Sequence, residues 1–271
     1  MHPVPEALVG DLGLYYEVAG EGPPVLYISG TGGDLRTAPG PFDSPLARRC
    51  TLAAYDQRGL GRSDKPDVAY TMADYADDAA GLLDVLGWEG VGVLGVSFGG
   101  MVAQQLVLRH PAKVGRLVLC CTSPGGGGGS SYPLHELESL PEEERSRRAL
   151  ALADVRFDEA WQAAHPDEVE AVLAYRRQSE EHVRNDPVAA TGARRQLEAR
   201  AGHDTWDRLP QVACPTLVCG GRHDGIAPPA NSEALASRIP RAELELYEGG
   251  HLFLLQDRAA WPRITEFLAG S

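Results

Sequence analysis

A serine with a glycine two positions away on each side is the first feature of this sequence that suggests chemistry. The segment Gly95-Val96-Ser97-Phe98-Gly99 follows an apolar run and opens a helical pattern. On such a strand-to-helix turn the serine is strained and exposed, and only glycine fits two residues away. The pattern predicts Ser97 as a nucleophile and the Phe98 N–H as an oxyanion donor. Chance is the alternative, since 31 of the 271 residues are glycine.

A glycine-rich turn earlier in the chain offers a second oxyanion donor. The apolar run Val25–Ile28 is typical of a strand buried on both faces, and it leads directly into Ser29-Gly30-Thr31-Gly32-Gly33. At the end of a strand, glycines let backbone N–H groups approach a ligand closely. We therefore expect the Thr31 N–H to be the second donor and Gly30 to contact the substrate. A plain turn is the alternative.

A base and an acid follow two later apolar runs, where the ends of predicted strands would place them. Asp224 comes just after the run Pro215–Gly220, and His251 follows Leu244–Tyr247 and a pair of glycines. The chain order serine, aspartate, histidine is one known arrangement of a catalytic triad. We predict that Asp224 is the acid and His251 the base. Three other carboxylates fit less well, because they precede the strand or follow the histidine: Asp204, Asp207 and Asp257.

Strands and helices alternate through residues 1–123, which is typical of a mostly parallel sheet with helices on both faces. The same character returns near the carboxyl end, so 1–123 and 207–271 are the predicted core. Within it, Thr71 can cap a helix that continues to Leu86. The segment Leu14–Val18 has the pattern of an early edge strand.

Residues 124–206 interrupt this alternation with charged, helical sequence that contains no strand candidate. We predict a helical cap over the active site, inserted after the sixth strand. Five consecutive glycines, Gly125–Gly129, are expected to act as a hinge that admits substrate, or as a plain surface linker. Some apolar side chains of the insertion are expected to line the substrate pocket, although most of them could equally pack the cap itself: Leu134, Leu137, Trp161 and Tyr175.

Composition excludes several classes of partner. The net charge of −13 and the isoelectric point near 5.0 argue against binding of nucleic-acid phosphates, which requires clustered Lys and Arg. No apolar run approaches the ~20 residues of a membrane span, and no signal peptide is visible. The five cysteines fall mostly in or beside predicted strands, which favours buried thiols in a reducing cytoplasm. We expect a small-molecule substrate, and the sequence leaves monomer and homodimer equally open.

These motifs together resemble the α/β-hydrolase superfamily, in its serine-nucleophile esterase and enol-lactonase-like branch. The resemblance covers nearly the whole chain outside the insertion, and it implies an eight-stranded, mostly parallel sheet. Its motifs are the segments 56–63 (Asp-Gln-Arg-Gly-Leu-Gly-Arg-Ser), 95–100 and 249–251. In the first of these, Asp56 and Arg58 could pair and brace the turn. One departure is Ser29-Gly30, where many relatives carry His-Gly.

The resemblance implies acyl transfer to Ser97. His251 would remove the serine proton, Asp224 would orient the imidazole, and the N–H groups of Thr31 and Phe98 would hold the oxyanion. The implied substrate is a small to medium carboxylic ester or lactone. No organic cofactor is needed, and no metal is expected, since the histidines lack ligand spacing. A serine on the strand-to-helix turn excludes the dehalogenase and epoxide hydrolase branches, which use aspartate at that position. Two alternatives stay open: carbon–carbon bond hydrolysis of a diketone acid, and a small-ligand receptor with little turnover.

Overall fold

One eight-stranded sheet organises the chain. The computed structural model describes residues 6–179 and 186–270. The strands lie side by side in the order β1-β2-β4-β3-β5-β6-β7-β8. Pairs β1–β2 and β2–β4 are antiparallel, and every other neighbouring pair is parallel. The predicted mostly parallel sheet is therefore confirmed. The strands are β1 (Glu6–Val9), β2 (Leu12–Ala19), β3 (Pro24–Ile28), β4 (Thr51–Tyr55), β5 (Val91–Val96), β6 (Val114–Cys120), β7 (Thr216–Gly221) and β8 (Ala242–Tyr247).

Helices follow the strands, and the local sequence explains their ends. The first, as predicted, is capped by Thr71, whose hydroxyl accepts the Asp74 N–H at 3.2 Å while Asp74 accepts the Thr71 N–H at 2.8 Å. Gly87 ends this helix in the left-handed conformation, at φ 68°. The α-helices in the described residues are α1 (Met72–Leu86), α2 (Phe98–Arg109), α3 (Glu142–Ala153), α4 (Glu159–Ala164), α5 (Pro166–Ser179), α6 (Pro187–Ala201), α7 (Pro229–Arg238), α8 (Phe253–Gln256) and α9 (Ala260–Ala269).

The sheet separates two hydrophobic layers. Successive residues of a strand point to opposite faces, and accordingly Leu26 and Val93 pack with α1 and α2, whereas Val25 and Leu94 pack with α9. All four side chains are fully buried. Because β3, β5, β7 and β8 run parallel, their carboxyl ends lie along one edge of the sheet. This edge is where a parallel sheet binds its ligand.

The core differs from the sequence-based expectation at two points. Strand β2 is not an edge strand, because the short strand β1 pairs with its outer side through a turn at Gly10. Arg58 does not pair with Asp56 but with Asp78 of α1, at 2.6 Å. Asp56 instead accepts the N–H groups of Leu35 at 2.7 Å and Arg62 at 2.9 Å. The loop after β4 is therefore braced by a different internal ion pair, between Asp56 and Arg62 at 3.4 Å, and by Leu35 of the preceding loop.

Between β6 and β7 the described residues form helices α3–α6 and shorter 3₁₀ turns, without a strand. The role of this helical insertion (residues 124–206) as a cap over the active site remains a prediction. None of the helices within 6–179 and 186–270 is long and apolar enough to cross a membrane.

The glycine run at the start of the insertion is folded, and its roles as a hinge or as a surface linker both stay predictions. Gly126–Gly128 form a 3₁₀ turn, closed by a hydrogen bond of 3.1 Å from the Gly125 N–H to the Gly129 carbonyl. Trp206 covers the turn so closely that a Cβ on Gly128 would lie 2.2 Å from its ring. Only glycine allows this contact.

Candidate active site

Ser97 stands on a strained turn between β5 and α2. Its φ of 54° is unusual for a residue with a side chain, and its hydroxyl lies at the carboxyl edge of the sheet. The flanking glycines are required by contact with neighbouring backbone. A Cβ on Gly95 would lie 2.4 Å from the Gly99 carbonyl oxygen, and one on Gly99 would lie 2.0 Å from that of Ile28. Glycine at positions 95 and 99 is therefore required by close backbone contacts, as the sequence pattern predicts.

Three predicted residues from three loops come together in one hydrogen-bonded series. His251 Nε2 lies 2.9 Å from Ser97 Oγ, and His251 Nδ1 lies 2.7 Å from Asp224 Oδ2. An ionised carboxylate can only accept, so Nδ1 carries the proton and Nε2 is free to accept from the serine hydroxyl. The second oxygen of Asp224 accepts the N–H groups of Ile226 and Ala227, both at 2.8 Å. The buried carboxylate is thereby fixed on both sides.

The two expected oxyanion donors belong to segments beside Ser97. Phe98 is the first residue of α2, where backbone N–H groups have no partner within the helix. Its ring is fully buried and packs edge-on against Tyr75, at 4.9 Å between centroids. On the other side, a Cβ on Gly30 would lie 3.4 Å from the Ser97 Cβ. The loop after β3 therefore contacts Ser97 at Gly30, the residue that precedes Thr31.

Comparison with known proteins identifies the fold family. A family model described as "alpha/beta hydrolase fold" matches residues 23–257, which is most of the chain. The protein belongs to the α/β-hydrolase fold family.

Relatives within this family differ in the reactions that their names state. The chain is 29% identical over 252 residues to a poly(3-hydroxyalkanoate) depolymerase of Ectopseudomonas oleovorans, covering 90% of this chain and 84% of the relative. It is 32% identical over 268 residues to a 2-hydroxymuconate semialdehyde hydrolase of Pseudomonas putida, covering 92% and 88%. The enol-lactonase of Burkholderia xenovorans LB400 has the same fold, with a TM-score of 0.77, 23% identity and coverage of 98% and 100%.

The helical insertion of this α/β-hydrolase contacts the loops that carry the predicted acid and the predicted base. The backbone carbonyl of Ala153, at the end of α3, accepts the His251 N–H at 2.6 Å. The carbonyl of Leu152 accepts the Gly225 N–H at 2.9 Å, directly after Asp224. Glycine at positions 225 and 250 is the one mark that these contacts leave in the sequence, and a glycine does not indicate which segment packs against it.

Asp154 adds a side-chain connection at the same place. Its Oδ2 accepts from Gln256 of α8 at 3.0 Å and from Arg156 at 2.6 Å. Burial alone would raise the pKa of this carboxyl, but the hydrogen bonds from Arg156 and Gln256 outweigh it and lower the pKa. Asp154 therefore stays ionised and holds α8, which follows His251, against the end of α3.

The predicted pocket residues of the insertion have packing contacts of their own. Trp161 stacks on His165, at 4.4 Å between centroids, and packs at a tilt against Phe157, at 4.5 Å, within the small core of the insertion. Leu137 is buried and Leu134 half-buried in a 3₁₀ turn, Leu134–Ser139, that packs against α3 and α6. The Tyr175 side chain lies outside the described residues. Packing of the insertion is the role that the contacts of Trp161 support, and pocket lining by the others stays a prediction.

A pocket of about 260 Å³ lies beside the loop after β3 and shares Gly32 with it. Its lining combines charged and apolar residues. Burial would raise the pKa of Asp34 in this pocket, but Arg36 outweighs burial and lowers it. The lining residues are Gly32, Asp34, Arg36, Gly59, Leu60, Gly61, Asp186 and Ala189.

The weaker candidates for the acid have other partners. Asp257 accepts the N–H groups of Glu248 and Ala259, both at 2.9 Å, and so fixes the start of the closing helix region. Asp204 accepts the Trp206 N–H at 3.0 Å. Asp207 is exposed, 3.7 Å from an arginine of α7. Asp224 is the carboxylate that contacts His251.

Proposed function

We propose that this α/β-hydrolase cleaves small to medium carboxylic esters or lactones through an acyl-enzyme on Ser97. The observation that carries the proposal is the series Ser97–His251–Asp224, with hydrogen bonds of 2.9 and 2.7 Å. A serine hydroxyl is a weak nucleophile until an adjacent base accepts its proton. The two distances are those at which this transfer operates.

The reaction proceeds in two halves. Ser97 Oγ attacks the substrate carbonyl while its proton passes to His251 Nε2, and Asp224 stabilises the resulting imidazolium. The N–H groups of Phe98 and Thr31 hold the oxyanion, and a well-placed donor contributes about 3–4 kcal/mol. His251 then gives its proton to the leaving alcohol. Water, activated by the same histidine, hydrolyses the acyl-enzyme and returns the serine.

The choice of ester or lactone rests on chemistry and on one relative. The substrate that the depolymerase relative's name states is a polyester, and the chain is 29% identical to that protein along most of its length. Attack by Ser97 on an ester carbonyl needs only the groups described above. A small-molecule substrate in the cytoplasm is part of the proposal, and the five cysteines, all free thiols, support that compartment.

Carbon–carbon bond hydrolysis is the second candidate. It is favoured by the 32% identity to the 2-hydroxymuconate semialdehyde hydrolase, which extends over 92% of this chain. A retained Ser–His–Asp series serves either reaction, so the triad does not discriminate between them.

The test is a panel of p-nitrophenyl esters from acetate to octanoate, several lactones and a diketone acid, each with the wild-type protein and Ser97→Ala. We expect turnover of short and medium esters or lactones that Ser97→Ala abolishes. Preferred turnover of the diketone acid would establish the second candidate. Binding without turnover of any compound would indicate a receptor and contradict both.

A further inference from the structure

We propose that Gln196, on helix α6, is a positioning residue for the oxyanion hole. Its side chain holds the loop Ser29–Gly33 so that the Thr31 N–H is aligned with the reacting carbonyl on Ser97. The inference rests on the proposed function, because it assigns a task within that reaction. It also adds a consequence, namely that the insertion acts on the rate of the chemical step.

The contact between helix and loop is direct and partly buried, since Gln196 lies inside while Gly32 itself is exposed. Gln196 Oε1 accepts the Gly32 N–H at 2.8 Å, across 164 residues of sequence, and the glutamine is fully buried. The Gly32 N–H belongs to the same planar peptide unit as the Thr31 carbonyl. Fixing this N–H therefore fixes the peptide plane that follows Thr31 and restricts rotation of Thr31 itself.

A second glutamine holds the other end of the same loop. Gln57, just after β4, donates from Nε2 to the Ser29 carbonyl at 2.9 Å, and it is also fully buried. Within the loop, the Gly33 N–H donates to the Gly30 carbonyl at 3.1 Å. Thr31 thus lies in a short turn that is held from the core on one side and from the insertion on the other.

Helix α6 is seated closely enough to give Gln196 a defined position. Gly192 lies one helical turn before Gln196 and therefore on the same face. Its backbone touches the loop after β4, because a Cβ on Gly192 would lie 1.9 Å from the Gly59 carbonyl oxygen. A helix backbone packed directly on a core loop leaves little freedom for the side chain one turn further along.

Stability alone does not account for a glutamine at this position. A backbone N–H can only donate, so the oxygen of Gln196 faces Gly32 and Nε2 points away from it. That Nε2 is buried and has no hydrogen-bond partner among the described residues. An unpaired buried donor destabilises the folded state, and methionine would fill the same space without one. What glutamine supplies and methionine does not is the acceptor for the Gly32 N–H.

The oxyanion forms only as the transition state is approached, so a misaligned donor lowers kcat and leaves KM nearly unchanged. For the loss of alignment at one of two donors, we expect a fall in kcat of about 10- to 100-fold. A trifluoromethyl ketone, whose adduct with Ser97 carries the oxyanion, should lose affinity by the same factor. A variant that only destabilised the fold would not lower kcat and the affinity for the ketone by the same factor while leaving KM unchanged.

The experiment compares Gln196→Met, which removes the acceptor, with Gln196→Glu, which retains an acceptor oxygen in either protonation state. Gln162→Met is the matched control, because Gln162 is also a buried glutamine of the insertion but donates to the carbonyls of Arg147 and Phe157. Hydrogen exchange of the peptide covering residues 28–35 reports the loop directly. The kinetic readouts are kcat, KM and the Ki of the trifluoromethyl ketone, with an ester that the wild-type protein hydrolyses.

We expect Gln196→Met to accelerate exchange in 28–35, lower kcat, leave KM unchanged and raise the ketone Ki. Gln196→Glu should restore kcat to within about threefold of wild type, well inside the 10- to 100-fold loss. Gln162→Met should change thermal stability alone. Unchanged exchange, or unchanged kcat in Gln196→Met, with an active wild-type protein would overturn the role of Gln196 and leave the proposed function standing. A wild-type protein that hydrolyses no ester or lactone would overturn the proposed function and this role together.

Discussion

The carbonyl oxygen of Ala153 accepts the backbone N–H of His251 at 2.6 Å, so the end of helix α3 contacts the proposed base directly. Close packing accompanies this bond. A Cβ on Gly250 would lie 2.0 Å from the same carbonyl oxygen and 2.7 Å from the Asp154 Cα. The helical insertion and the loop that carries His251 therefore share a boundary with no room for a methyl group. Displacing one must displace the other.

Gly250→Ala should consequently impair the reaction. The added methyl group forces Ala153 and Asp154 away from the loop, and the ring of His251 loses its alignment with Ser97 Oγ. We expect kcat to fall about 10- to 100-fold, because misplacement of a catalytic group by about 1 Å has an effect of this size. The measurement is steady-state hydrolysis of a p-nitrophenyl ester well below the Tm of the variant.

Gly202→Ala is the matched control for this prediction. Its added Cβ would meet only the Ala199 carbonyl oxygen, at 3.6 Å, which is an ordinary contact. Its kcat should equal that of the wild-type protein. Full activity in Gly250→Ala would show that the packing of α3 against the base is irrelevant to the reaction.

The sequence predicted the residues whose constraints are local. Gly95 and Gly99 mark the serine turn because backbone contacts leave no space for side chains, and such a requirement is visible as a residue type at a fixed spacing. Asp224 and His251 could be found because parallel strands end at one edge, so residues just after them meet. The fold class followed from the same alternation of strands and helices.

Contacts set by tertiary packing left no such mark. Gly32 and Gln196 lie 164 residues apart, and no local sequence pattern connects the two segments that carry them. The contact of Arg58 with Asp78 depends on where α1 lies, so the sequence around Arg58 does not indicate it. The glycines of 125–129 suggested flexibility, whereas Trp206 packs against them. Composition alone does not distinguish glycine that permits motion from glycine that permits close contact.

The glycine turn should respond to substitution as a packed element. In Gly128→Ala the new Cβ would lie 2.2 Å from the Trp206 ring and 2.6 Å from Pro124 Cγ. Overpacking of this kind costs about 1–3 kcal/mol of the free energy of unfolding. Urea denaturation provides the measurement, with Gly202→Ala as the neutral control. A Gly128→Ala protein as stable as wild type, with altered activity only toward bulky esters, would instead support a hinge.

His203 should make stability depend on pH. Burial lowers the pKa of this imidazole to about 4, although its bond to the Ser123 carbonyl acts in the opposite direction. In the unfolded chain the pKa is about 6.5. Between these values the unfolded state binds more protons, so the free energy of unfolding falls as the pH falls from about 6.5 to 4. The contribution is on the order of 3 kcal/mol.

His203→Gln tests this assignment, because glutamine retains an N–H donor but does not titrate. The difference in free energy of unfolding between the wild-type and variant proteins should shrink as the pH is lowered from 7 to 4.5. Comparing the two proteins at each pH removes the contribution of their shared carboxylates to the free energy of unfolding. A difference that is constant over this range would mean that His203 is not the titrating group.

Asp224→Asn should cost on the order of 10⁴ in kcat while the fold stays intact. The N–H groups of Ile226 and Ala227 would hold the amide oxygen at the Oδ1 position, so the amide NH₂ would face Nδ1 and donate to it. The tautomer that leaves Nε2 free is then no longer favoured. Asp207→Asn is the control, since Asp207 is exposed and lies 3.7 Å from its nearest arginine. Both variants are compared by kcat and by circular dichroism. A greater loss of kcat in Asp207→Asn than in Asp224→Asn would show that Asp224 is not the acid.

Covalent labelling tests the central claim, that Ser97 is the nucleophile, most directly. The wild-type protein is treated with a p-nitrophenyl organophosphonate, digested and analysed by mass spectrometry for the modified peptide. The geometry at His251 predicts one adduct, on Ser97, with loss of esterase activity in proportion to labelling and no adduct in Ser97→Ala. An adduct on Ser29 or Ser63, or hydrolysis that persists in Ser97→Ala at the wild-type rate, would contradict it.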